Sequence, residues 1–164
     1  MSALWFKIKS AIHGAPGTAG QSENHLTRVL QMPHNAGMEF INASTLPTPA
    51  GHYSHAVVSM GFVFVSGVLP DAATINGPES FDQQLASVLD RCELALGASG
   101  CTLHDVVQCN AYIVGIENWP RFNVLYAQRM GQHKPARAVV PVPELHFGAL
   151  VEIQLTAQRP VSSK

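Results

Sequence analysis

Apolar side chains recur at helical spacing along residues 81–98: Phe81, Leu85, Val88, Leu89, Cys92 and Leu96 fall on one side of a 3.6-residue period. The spacing predicts an amphipathic helix over this stretch. Ser80 is its N-cap, Gln83 completes a capping box, and Gly97 and Gly100 are stop signals. Elsewhere the period falls to two. Residues 105–114 place Val107, Cys109, Ala111 and Ile113 on one strand face, and Val106, Gln108, Asn110, Tyr112 and Val114 on the other. The run from Leu150 to Ala157 alternates in the same way, with Val151, Ile153, Leu155 and Ala157 reading as core and Leu150, Glu152, Gln154 and Thr156 as a mixed face. Residues 54–60 and 62–66 flank Met60-Gly61, a hairpin-like turn, with Phe62, Phe64 and Ser66 opposite Val63 and Val65.

Weaker signals complete the order. Phe40-Ile41-Asn42-Ala43 reads as a short strand. The proline- and glycine-rich residues 46–51 read as irregular, and residues 71–79 as a loop carrying the turn pair Asn76-Gly77. Pro120 suits the first turn of a second helix whose apolar side is Phe122, Leu125, Tyr126 and Met130, and Arg137 leads into the β-type run Ala138-Val139-Val140. Strands, helix, strand, helix, strands is the pattern of an α+β domain with two helices on one face of a mixed sheet. The other face is too apolar to be left wet and too polar for a monomer core. A homo-oligomer is therefore expected, with the Arg137 and Glu152 region near a subunit boundary.

Residues 1–37 look different. Trp5-Phe6-Lys7-Ile8-Lys9 is apolar but broken by charge, and residues 14–24 read as linker. A poorly ordered extension is expected, with Met32 or Met38 as a natural start; the first acidic residue is Glu23, which leaves open an organellar transit peptide. The domain proper is expected over residues 38–160, with 161–164 as a tail. Of 164 residues 46% are hydrophobic and 13% charged, and the net charge is −1, a balance that points away from nucleic acid or an anionic membrane as partner. No apolar run approaches the ~18–20 residues of a membrane helix. Cys92, Cys101 and Cys109 have no metal-ligand spacing and suit a reduced, cytoplasmic setting, with Cys109 a small buried apolar residue.

The candidate chemistry is sparse. Of the five acidic residues after Asp90, only Glu152 lies in a strand interior. With Arg137 it is either a surface ion pair on a solvated face, or an anion-binding arginine beside a carboxylate that handles a proton or a water. His52 and His55 are the only close histidine pair, and no third ligand is placed to make a metal site. Ser66 has no assignable base. Tyr53 is an aromatic wall or donor, and Asn123 on its helix is either solvated or functional. There is no glycine-rich phosphate loop and no cofactor motif.

Taken together these residues resemble the Rid family, the reactive intermediate (imine) deaminases of the YjgF superfamily. The resemblance rests on Ala50-Gly51-His52-Tyr53-Ser54-His55-Ala56-Val57, on Val65-Ser66-Gly67-Val68-Leu69-Pro70, on Phe122-Asn123-Val124-Leu125-Tyr126, and on Pro135-Ala136-Arg137 with Val151-Glu152-Ile153. It implies a chorismate-mutase-like α+β fold and a homotrimer with three clefts between subunits. It implies Arg137 as the arginine for a substrate carboxylate, Glu152 as the residue that positions water, and Tyr53, Ser66, Gly67 and Asn123 as further cleft positions. The implied activity is hydrolysis of 2-imino or enamine acids, of the 2-iminobutanoate and 2-iminopropanoate type, to 2-oxo acids and ammonia, without metal or cofactor. The alternatives are a deaminase for one dedicated enamine of the aminoacrylate or aminomuconate type, and a non-catalytic trimer that binds a small carboxylate as sensor or regulator. His52, Val68 and the segment from Pro141 to Gly148 depart from the family pattern and bear on the substrate more than on the reaction class.

Overall fold

The computed structural model describes residues 37–77 and 80–161. The extension expected over residues 1–37 lies outside them except for Gly37, as do residues 162–164. In chain order the elements are β1 (Met38–Ile41), β2 (Ala56–Ser59), β3 (Phe62–Val68), α1 (Ala72–Asn76), α2 (Phe81–Ala98), β4 (Val106–Val114), α3 (Trp119–Met130), β5 (Ala136–Val142) and β6 (Val151–Gln158). The strands form one mixed sheet in the order β1-β2-β3-β6-β4-β5. Only β4 and β5 run parallel, joined by the crossover helix α3. β6, last in the chain, fills the centre and pairs antiparallel with both β3 and β4.

Periodicity is realised as packing. Leu85, Val88, Leu89, Cys92 and Leu96 of α2 and Phe122, Tyr126 and Met130 of α3 meet Val63, Val65, Ala111, Ile113, Val151 and Ile153 of the sheet in one buried cluster. Leu85 is fully buried, so truncating it to alanine removes about 2–5 kcal/mol. The end of α2 is closed by Gly100 at φ +77: Cys101 N–H donates to Leu96 O at 2.9 Å and Gly100 N–H to Gly97 O at 3.0 Å. Gly97, a stop signal in the sequence, lies inside the last helical turn. At the other end, Gln83 Oε1 accepts from Ser80 N–H at 2.9 Å, the return half of the capping box. The β2–β3 turn at Met60-Gly61 has φ of 52° and 80°, the twist that suits a two-residue hairpin.

Three expectations are corrected. Residues 71–79 are not all loop: Asp71 caps the one-turn helix α1 by accepting from Thr74 N–H at 2.9 Å. The first strand is Met38–Ile41, so Asn42 and Ala43 lie beyond it. In β4 the alternation changes phase at its start. Val106 pairs with Ala157 and Gln108 with Thr156, one extra residue on β4, so Val106 is buried and Val107 is 42% exposed.

Candidate functional site

Arg137 and Glu152 do not meet within the chain. Arg137 is registered with Cys109, which is registered with Leu155, and both of these are buried on the helix-covered face. Glu152 alternates with Val151 and Ile153 and so lies on the opposite face, level with Tyr112. With ~3.3 Å per residue and ~4.8 Å between strands, their Cα atoms are about 14 Å apart, with a sheet between the side chains. The surface ion pair read from the sequence is therefore absent, and the two residues anchor separate candidate half-sites.

The first half-site lies on the sheet edge. Arg137 Nη2 donates to Asn123 Oδ1 at 2.7 Å. The guanidinium carbon lies 4.9 Å from the ring centre of Tyr126 and 5.7 Å from that of Phe122, and those rings stack at 5.4 Å. Residues 122, 123 and 126 are one helical turn of α3, so a single turn supplies the aromatic floor and the polar tether. No acidic partner of Arg137 occurs among the described residues. Beneath the floor, burial pushes the Cys109 thiol up to about 11 and also raises the Tyr126 hydroxyl, so both stay neutral under the guanidinium.

The second half-site gathers Tyr53, Ser66, Gly67 and Glu152. β3 carries one more residue than β6 between the pairs Val65–Leu155 and Val68–Ile153. This bulge breaks the alternation at Ser66-Gly67 and leaves both half-buried. Glu152 fills the space where Gly67 lacks a side chain: a Cβ there would lie 1.9 Å from Glu152 Oε1. Ser66 Oγ donates to Ser54 O at 2.7 Å, which ties the bulge to the Tyr53 segment and leaves the hydroxyl oxygen free to accept. Tyr53, Ser66 and Gly67 line a cleft of about 560 Å³ that also reaches Leu69, Arg91 and Phe147.

His55 has another role than metal ligand. Its Nδ1 accepts from Ala43 N–H at 3.0 Å and its Nε2 donates to Pro47 O at 3.0 Å, which sets the Nε2–H tautomer and fastens the loop beside the cleft. His52 is exposed. Among the described residues no three histidine, cysteine, aspartate or glutamate side chains are grouped to hold a metal ion.

Three features escaped the sequence reading. Phe122 and Tyr126 look like ordinary helix core yet carry Arg137. Phe147 stands at φ +62 and is 79% exposed at the cleft, an unusual backbone for a bulky residue. Arg91 flanks the apolar stripe of α2, and that charge between Val88 and Cys92 was the available signal.

A family model described as Endoribonuclease L-PSP matches residues 43–159. A RutC family protein of Pyrococcus horikoshii is 32% identical over 125 residues, 74% of this chain and 98% of the relative. Among solved structures, the Rid family protein YyfA of Yersinia pestis aligns with a TM-score of 0.69 at 29% identity, covering 74% of this chain and 99% of that one. RidA from an Antarctic Psychrobacter aligns with a TM-score of 0.67 at 30% identity, covering 73% and 98%.

Proposed function

Since the chain belongs to the L-PSP endoribonuclease family, whose members are also named YjgF, RutC and Rid, we propose that it hydrolyses 2-imino and enamine acids in clefts shared between subunits of a homotrimer. The observation that carries this reading is the division of the site. A guanidinium held flat on an edge strand has no acidic partner among the described residues, and on the other face a carboxylate lies against Gly67, itself a residue of the cleft lining. A cyclic assembly brings the edge of one subunit to the open face of the next.

A 2-imino acid has a carboxylate beside an electrophilic C=N carbon. Arg137 takes the carboxylate through its planar fork, with Asn123 and the two rings fixing its plane. Anchoring the carboxylate holds the carbon in place for attack. Glu152 accepts a proton from water as the oxygen adds to the carbon of the protonated C=NH2+ group, giving a neutral carbinolamine. It passes that proton to nitrogen and takes up the hydroxyl proton as the C–N bond breaks, leaving a 2-oxo acid and ammonia, and then releases the proton to solvent. Tyr53 and Ser66 orient the substrate from the cleft wall. Imines hydrolyse readily in water, so the site needs to supply only modest acceleration.

The family description names an endoribonuclease, and the charges here offer that activity little. Arg121, Arg129 and Arg159 each pair with a carboxylate, and the chain has a net charge of −1, so no basic groove is assembled among the described residues.

The test is loss of 2-iminopropionate and of a larger apolar 2-imino acid, generated in place by an amino-acid oxidase. Wild type should accelerate hydrolysis, and Arg137→Ala should lower kcat/KM by about 10²-fold or more, since one charged partner of a carboxylate is removed. No acceleration of either imine by an intact oligomer would reject this general imine deaminase and leave a carboxylate-binding trimer or a deaminase for one dedicated enamine.

A further inference from the structure

The cleft beside Ser66 and Gly67 is much larger than a three-carbon imino acid requires. Its volume of about 560 Å³ falls in the ~300–1,000 Å³ range of sites for drug-sized ligands. Leu46, Leu69 and Phe147 give its walls an apolar character. One charged side chain, Arg91 of α2, lies on its lining. Arg91 Nε is buried with no hydrogen-bond partner, and Arg91 makes no ion pair among the described residues. The carboxylate of the facing segment is committed elsewhere: Asp71 Oδ2 accepts from Ser87 Oγ at 2.6 Å and from Thr74 Oγ1 at 2.5 Å, while its Oδ1 takes Thr74 N–H. An arginine donor withdrawn from water without an acceptor is costly unless something else supplies one.

We propose that Arg91 binds an anionic group at the far end of the substrate's side chain, so that the preferred imino acids carry a second, distal carboxylate on an apolar stem. This inference rests on the deaminase reading and gives the same site its substrate class. The α-carboxylate goes to Arg137, the reacting carbon lies beside Gly67, which adjoins Glu152 and also lines the cleft, the stem runs along the apolar wall, and the second carboxylate reaches Arg91. A short alanine-derived imine would use the first two contacts and leave Arg91 unanswered.

The stable 2-oxo acid products serve as probes, measured by calorimetry on the full chain. 2-Oxoadipate and 2-oxohexanoate have the same chain length and differ in the distal carboxylate, and 2-oxobutanoate tests the α-carboxylate contact alone. Wild type should bind 2-oxoadipate about tenfold or more tighter than 2-oxohexanoate, as expected for one charge-assisted contact. Arg91→Met should bring that ratio to about one and leave 2-oxobutanoate unchanged, and Arg91→Lys should keep part of the preference. Arg137→Ala should weaken all three. Equal affinity of wild type for the two long acids, or a preference that survives Arg91→Met, overturns the inference. If 2-oxobutanoate still binds through Arg137 in that case, the deaminase reading stands without it. If none of the three binds an intact oligomer, both fall.

Discussion

Gly67 places the most exacting demand on a single position. The carboxylate of Glu152 rests where a side chain at 67 would go, at 1.9 Å from the ideal Cβ. The intruding atom is the end of a flexible side chain, so a methyl group there is accommodated by swinging the carboxylate away. Gly67→Ala should therefore keep the fold, with Tm lowered by a few degrees at most, while kcat for imine hydrolysis falls about tenfold or more because the group proposed to position water is displaced. A variant that loses stability and activity in proportion would argue that Gly67 serves the backbone alone. Tyr53, Ser66, Asn123, Arg137 and Glu152 were all legible as candidates from residue type and motif. What Gly67 does for Glu152 was not, because the contact joins residues 85 positions apart.

At the scale of elements, two departures from strict alternation prepare the site. The bulge in β3 turns Ser66 and Gly67 toward the cleft, and the bulge in β4 sets Val106 into the core. The first leads within a few residues to Asp71, whose carboxylate is held well below its ordinary value of 3.8 chiefly by the Ser87 hydroxyl, then by Thr74. Because the folded-state value is depressed, the stabilisation is complete above the unfolded value and is lost as pH falls through it toward the folded one. Asp71→Ala should cost about 1 kcal/mol at neutral pH, and the deficit relative to wild type should close below about pH 4. Thermal melts of both proteins from pH 7 to pH 3 provide the check, and a deficit independent of pH would assign the effect to packing. Asp71 was read as part of a loop because a one-turn helix is too short to show a period.

For the whole molecule, the consequential fact is that one chain keeps Arg137 and Glu152 apart. Arg137 stands on the edge strand β5, stacked on α3, and Glu152 stands on the open face of the central strand β6. That open face carries Phe64 at 48% and Phe62 at 38% exposure, apolar surface that self-association would cover. If catalysis needs both halves, Arg137→Ala and Glu152→Gln should each be inactive alone. Mixed, with subunit exchange, they should regain about a quarter of wild-type activity, the share of clefts that receive an intact half from each side. No recovery after exchange, verified by mass-tagged subunits, would place both halves in one chain.

The amino-acid order by itself determined the period of each long element, and with it α2 from Phe81 to Ala98, the buried and mixed faces of β6, and the helix-on-sheet class. These follow from local geometry, since a side chain's direction repeats every 3.6 or every 2 residues whatever the rest of the chain does. Only the tertiary structure decided that β6 inserts between β3 and β4, that the β3 and β4 bulges shift the alternation, and that Arg137 and Glu152 lie on opposite faces. Strand order and bulge phase are set by hydrogen bonds between distant segments and by the competition of whole faces for the core. No local period encodes them, so a pair that reads as neighbouring chemistry along the chain is parted by the sheet.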